Sequence, residues 1–204
     1  MAHDLVVALG DIRYRVERPF GAWPPNSGFV TDVTVDGRGH VFVMLRHDPL
    51  VHPADPRVVE LDPEGRYITG WGGEGHDEGQ FVWPHAIWAF ADGRVVVVDR
   101  TWNRVQVFDG EGRHLQTWHD FYQPVGIWGD GEGCAYVTDM VPSLTRIAPD
   151  GTRIGRCRPM LNGAHGLFGT PAGDILLAEG NPSRITRLRR LPAPRQDDAF
   201  PGSR

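Results

Sequence analysis

Two histidines, His85 and His165, each open a short apolar run, HAIW and HGLF, at matching places in the chain. Imidazole nitrogens at two such positions can share one divalent ion, and zinc is an ion that nitrogen ligands suit. A catalytic zinc takes three protein ligands and a water, so the pair would hold it weakly unless Asp99, Asp139, Glu179 or His47 reaches in. The other reading is two inward histidines bonded to water or backbone, with no metal. Asp99, Asp139 and Glu179 close apolar runs of their own, VVVVD, AYVTD and ILLAE. Carboxylates there can lower the local potential, hold a cation such as structural calcium, or act as general bases if their pKa is raised. They can equally cap turns and pair with Arg100 and Arg104. Trp102, beside Arg100, can line a ligand pocket and bind substrate. His47 and His52 lie in HDPLVHPADP, an insertion with room to form a lid that touches substrate, or to carry ordinary loop histidines. No GxSxG elbow, GxxxxGK phosphate loop, HExxH zinc motif or dinucleotide fingerprint accompanies them.

A repeat must position these residues. TDVTVDGRGHVFVML from Thr31, HAIWAFADGRVVVVD from His85, VGIWGDGEGCAYVTD from Val125 and HGLFGTPAGDILLAE from His165 align without gaps. Each is an apolar run, a Gly-rich turn and a second apolar run. A third strand follows in every unit, and in three of them an acidic turn with Gly leads into a fourth: VVELDPEGRYITGW, RVQVFDGEGRHLQTW and TRIAPDGTRIGRC. DPEG, DGEG and PDG supply the positive φ that short hairpins need. Successive starts lie 54, 40 and 40 residues apart, LVHPADP and GGEGHDEGQF filling the longer first interval.

Four short strands per unit predict an all-β fold, a small β-propeller of four four-stranded blades, at about 29–71, 84–118, 124–157 and 164–191. The last unit runs through SRITRLRRL without a fourth strand. IRYRVERP, residues 12–19, alternates like a strand and is expected to close the ring as the missing outer strand. Residues 1–11 and 192–204 are then tails. Thr31, His85, Val125 and His165 share one register around a common axis, and Leu45, Asp99, Asp139 and Glu179 share another. Trp71, Trp88, Trp102, Trp118 and Trp128 recur at blade positions, most of them as packing between blades.

Composition fits this architecture. Gly at 26 and Pro at 17 are high for 204 residues, which implies many turns and short strands. A net charge of −5 and arginines scattered apart from Arg184, Arg187, Arg189 and Arg190 give no general attraction to nucleic acid or anionic membranes. Cys134 and Cys157 are too few for a disulfide scaffold and lack metal spacing, so buried or idle thiols in a reducing cytoplasm are expected. No apolar run is long enough to span a bilayer, and the first residues do not read as a secretion signal.

PHAIW at 84–88, VVVDRTWNRVQVFDGEGRHLQTW at 96–118 and the GQF before them resemble NHL repeats, in particular those of propellers similar to peptidyl-α-hydroxyglycine α-amidating lyase. The resemblance implies histidines on the innermost strands of alternate blades that hold a catalytic zinc, with arginines binding the substrate carboxylate. On this chain His85 and His165 match two of those ligands, and Arg100 and Arg46 match the arginines. The third histidine has no match, as if a six-bladed relative had lost two blades after the first. The resemblance implies a metal-dependent, lyase-like enzyme acting at the channel mouth on a small polar or peptide-derived substrate, of the kind found in specialised biosynthesis. The alternative is a non-catalytic binding module for a ligand or protein partner. Four blades make a tight ring, so association of two chains through open edges or a face, a homodimer, is also expected.

Overall fold

The computed structural model describes residues 6–9, 12–17, 19–22, 29–46, 57–160, 162–180 and 183–191. Strands β1 (Val6–Leu9) and β2 (Ile12–Arg15) form a hairpin of their own. Blade 1 holds β3 (Phe29–Val35), β4 (Val41–Arg46), β5 (Arg57–Leu61) and β6 (Tyr67–Gly72). Blade 2 holds β7 (Pro84–Ala89), β8 (Val95–Asp99), β9 (Arg104–Phe108) and β10 (His114–Trp118). Blade 3 holds β11 (Pro124–Gly129), β12 (Ala135–Asp139), β13 (Leu144–Ile147) and β14 (Arg153–Cys157). Blade 4 holds β15 (Ala164–Gly169), β16 (Ile175–Gly180) and β17 (Ser183–Leu188). Each blade is an antiparallel meander in chain order, and no helix occurs among the described residues. The protein is an all-β propeller of four blades.

Burial on both faces of the inner strands β7 and β11 stacks the blades. β3 packs against β7, β7 against β11 and β11 against β15. Alternate side chains go to opposite neighbours, as the pleat requires. Ile87, Ala89, Val95 and Val97 meet Phe42, Met44 and Val58 of blade 1, while Ala86, Val96, Val98 and Val105 meet Ile127, Ala135 and Val137 of blade 3. Polar links fix the offset. The Ile87 and Ala89 amides donate to Asp32 Oδ2 at 3.0 Å and Thr34 Oγ1 at 3.2 Å, and Thr138 Oγ1 donates to the Ala164 carbonyl at 2.7 Å. Burial raises the Asp32 pKa despite the amides that bond it.

The segment expected to close the ring does something else. Ile12–Arg15 pairs with Val6–Leu9 and leaves blade 4 with three strands, and Val6–Leu9, expected to lie in a tail, is a strand. Downstream, the Ala22 amide donates to Gly65 O at 3.0 Å, which ties this segment to the outer turn of blade 1. The physical reason is loop entropy: VVAL is two residues from its partner, whereas the edge of blade 4 is more than 160 residues away. Cys134 is buried and Cys157 exposed, both as free thiols. Residues 192–204, expected to be a tail, lie outside the described residues.

Where inner strands end, glycine makes room for aromatic plates. A Cβ on Gly129 would run into Phe90 and Trp88, whereas one on Gly131, two residues on, meets nothing. Gly129→Ala should therefore cost about 1–3 kcal/mol through overpacking and lower the melting temperature by several degrees. Gly131→Ala should stay within about 0.5 kcal/mol of the parent. Thermal denaturation of both variants checks the pair, and equal melting points would contradict the packing described.

Candidate active site

The first-strand ladder breaks at the same place in every blade. Register shifts fall between Val30 and Asp32, Pro84 and Ala86, Pro124 and Gly126, and Ala164 and Gly166. The residues left at the breaks are Thr31, His85, Val125 and His165, the four positions that the repeat aligns. A bulge frees a residue from the pleat and re-aims its side chain. His85 and His165 come together with ring centroids 5.5 Å apart and planes at 53°. His85 Nδ1 lies 2.7 Å from the Val125 carbonyl oxygen. A carbonyl can only accept, so Nδ1 carries the proton and the neutral ring presents its lone pair at Nε2. Thr31 lies at the equivalent bulge and bonds the Met44 carbonyl at 3.2 Å.

Two arginines stand at the same mouth. Burial is the largest cause that holds the His85 pKa below the ordinary 6.5, and the charges of His165, Arg100 and Arg46 push it the same way against the hydrogen bond to Val125. Arg46, the last residue of β4, lies over the Trp83 ring at 4.4 Å. Arg100 follows β8; its backbone amide donates to Trp83 O at 3.0 Å and its Nη2 reaches Gln123 Oε1 at 3.4 Å. Its Nε is buried with no acceptor. Gln123 and Asn103 both hold positive φ, 46° and 55°, and the Gln123 amide donates to Asn103 Oδ1 at 2.8 Å. Non-glycine residues in that region store about 1–3 kcal/mol each and tend to cluster at functional sites. Trp83 and Gln123 were not singled out in the sequence, although both precede an inner-strand proline, in WPH and QPV.

The strand-end carboxylates are engaged elsewhere. Asp99 accepts the Val82 and Trp83 amides at 3.1 and 2.8 Å and pairs with buried Arg104 at 3.1 Å. Asp139 accepts from the Val141 amide and from the Ser143 amide and hydroxyl at 2.9–3.1 Å. Glu179 pairs with Arg184 at 3.0 Å and accepts from Thr186. These are the turn-capping and pairing roles that the sequence left open beside the catalytic ones. Trp102 stacks on His76, centroids 4.0 Å apart, on the insertion before blade 2. His47 and His52 lie outside the described residues.

Among the described residues the histidine pair falls one ligand short of the three that a catalytic zinc takes. The two imidazoles offer two nitrogens, and among the described residues no third His, Cys, Asp or Glu joins them. Among the described residues the one such triplet is Asp130, Glu132 and Cys134, on the hairpin between β11 and β12. Two guanidinium groups beside the imidazoles further disfavour a divalent cation and favour an anion.

No protein-family model matches the chain. Among solved structures, a streptogramin B lyase superimposes with a TM-score of 0.61 at 15% identity, over 88% of this chain and 59% of its own. A catalytically inactive histidine-to-alanine virginiamycin B lyase from Staphylococcus aureus, solved with quinupristin, gives 0.60 at 16% identity over 84% and 59%. The WD40 repeats of RRP9 give 0.62 at 13% identity over 73% and 44%. These likenesses establish the propeller fold, and the chain spans 59% of the length of either lyase.

Asp99 provides a direct check on the structural role of the carboxylates. Asp99→Ala leaves Arg104 buried without its counter-charge and two amides without acceptors, so a loss of about 3–5 kcal/mol is expected. Glu179→Gln should cost less, because the Arg184 side chain is 40% exposed and water can replace the pairing. Denaturant midpoints for the two variants test the ordering.

Proposed function

We propose that the chain is a lyase-like enzyme acting on a small polar or peptide-derived anion at the mouth of the propeller, with His85 as its base. The observation that carries this reading is the state of His85: half-buried, its Nδ1 proton given to Val125 O, its lone pair at Nε2, and its pKa held down by burial and by the cations around it. A neutral imidazole at physiological pH is what a general base requires. The likeness to the amidating lyases in sequence pattern, and to streptogramin and virginiamycin B lyases in fold, supports the reaction class. In one of those structures the histidine-to-alanine form is inactive.

The chemistry follows from the arrangement. Arg100 and Arg46 hold the anionic end of the substrate, and their charge stabilises the negative charge that develops as the substrate proton leaves. His85 Nε2 takes that proton; the released electron pair forms a new double bond and expels the leaving group. His165, at the open side of the pair, delivers a proton to the departing atom. One proton is gained and one lost, and exchange with solvent restores both rings.

A binding module that holds the same anion without turnover is the second reading, favoured by the engagement of all three strand-end carboxylates away from the histidines. Turnover separates the two. Incubation with an α-hydroxyglycine-terminated peptide and with quinupristin, followed by mass spectrometry and chromatography, is expected to convert at least one. Turnover should fall by about 10²–10⁴ in His85→Ala. Since only neutral His85 is a base, kcat/KM should decline on the acid side as pH falls through a midpoint below 6.5. Arg100→Gln removes a cation, raises the His85 pKa and should move that midpoint upward. Full turnover by His85→Ala would overturn the assignment, and saturable binding of both probes without conversion would select the binding module.

A further inference from the structure

The opposite end of the inner strands carries a second site, which does not depend on the reading of the histidine mouth. The hairpin between the first and second strands has one geometry in blades 2 and 3: the Phe90 amide bonds Arg94 O at 2.8 Å, and the Asp130 amide bonds Cys134 O at 3.0 Å. Between blades 2 and 3 the side chains of that hairpin fill the space. Phe90 is buried in the core shared by the two blades, and Arg94 lies over its ring at 4.5 Å. From there Arg94 crosses to Pro149 O at 3.1 Å and Gly133 O at 3.0 Å in blade 3.

Between blades 3 and 4 the same two positions hold Asp130 and Cys134. Neither reaches across. Asp130 turns back to the Glu132 and Cys134 amides at 3.0 and 2.9 Å and to the Tyr136 hydroxyl at 3.2 Å. Loss of a phenyl ring and a guanidinium from the seam leaves a cleft of about 750 Å³. That is the size of a small-molecule pocket.

Its lining has a definite chemistry. Trp128 sits at a corner of three rings, 5.0 Å from Tyr136 and 6.1 Å from Phe168 between centroids. Arg146, Arg189 and Arg190 stand around them. Arg146 lies 3.3 Å from Glu132 and 3.6 Å from Asp130, and its Nε is buried without an acceptor. The guanidinium groups of Arg189 and Arg190 have no carboxylate within ion-pair distance among the described residues. Asp174, which accepts from the Arg190 amide, is offset by its pairing with Arg187, so three cations face two carboxylates and the cleft is electropositive beside its aromatic corner. Trp128 is three residues along β11 from Val125, about 10 Å at the rise of a strand, so this site is separate from the histidine mouth.

We propose that the cleft between blades 3 and 4 binds a planar aromatic anion, its ring system packed against Trp128 and Phe168 and its carboxylate held by Arg189 and Arg190. Ring packing supplies affinity, and the arginines select the charged form over a neutral ring of the same shape.

The probe is 2-naphthoate, titrated into the full chain by calorimetry and by quenching of tryptophan fluorescence, with neutral 2-naphthylmethanol as its uncharged counterpart. Saturable binding of naphthoate, at least about tenfold tighter than that of the alcohol, is expected. Asp130→Phe combined with Cys134→Arg transplants the filling of the blade 2/3 seam and should weaken naphthoate by tenfold or more. Trp128→Leu, an independent variant of the ring corner, should weaken both probes. Arg189→Gln with Arg190→Gln should weaken naphthoate alone and bring it level with the alcohol. Absence of saturable binding at millimolar probe overturns the proposal. So does equal affinity for the two probes, or unaltered naphthoate binding in Trp128→Leu or in the folded, filled variant.

Discussion

Burial of the inner strands of blades 2 and 3 on both faces is the constraint from which the rest of the molecule follows. Ile87 is 3% exposed because blade 1 lies over it, while Val33, the same position in blade 1, is 56% exposed with no blade before it. Val105 is fully buried beneath blade 3, whereas its counterpart Ile185 in blade 4 is 74% exposed. A strand clamped from both sides cannot slide, since a one-residue slip would exchange the two sets of side chains between neighbouring blades. The bulges at His85 and Val125 are therefore held in register, and His85 meets His165, 80 positions on in sequence, with ring centroids 5.5 Å apart.

The polar groups of the same frame set the character of the mouth. Asp99 holds the Val82 and Trp83 amides, and Asp139 lies 3.4 Å from the Tyr122 amide in the equivalent loop. Each acid thus latches the chain as it enters an inner strand. With Asp99 and Asp139 turned to these donors, Arg46, Arg100 and the two histidines group at the mouth. A ring of residues that reads as acidic in sequence becomes cationic in three dimensions.

Much of this is legible in the residues. The repeat, the acidic Gly turns and the pleat periodicity contain the four blades, and the shared register of His85 and His165 contains their meeting. What is hidden depends on competition between partners. Ile12–Arg15 alternates like a strand whichever edge it joins, and only the short connection to Val6–Leu9 decides between them. Asp99 is equally suited to a base or a latch until the amides of Val82 and Trp83 are placed against it. Trp83 and Gln123 support the arginines from loops that no periodicity marks.

A propeller of near-identical blades has few reasons of packing to vary a position from one blade to the next, so departures carry information. The bulge residue is Thr, His, Val and His along the four blades, and the residue that follows Leu45, Asp99, Asp139 and Glu179 is Arg46, Arg100, Met140 and Gly180. Val125 is fully buried, so packing accounts for that member, whereas Thr31 and His85 are partly exposed and His165 is exposed. Two arginines from blades 1 and 2 and two histidines from blades 2 and 4 thus come together at one mouth. At the other end the substitution runs against packing: Asp130 and Cys134 vacate a seam that Phe90 and Arg94 fill one blade earlier. A change that removes buried contacts without restoring them leaves exposed ring faces and unpaired guanidinium groups, surfaces whose free energy falls when a ligand of matching shape and charge covers them.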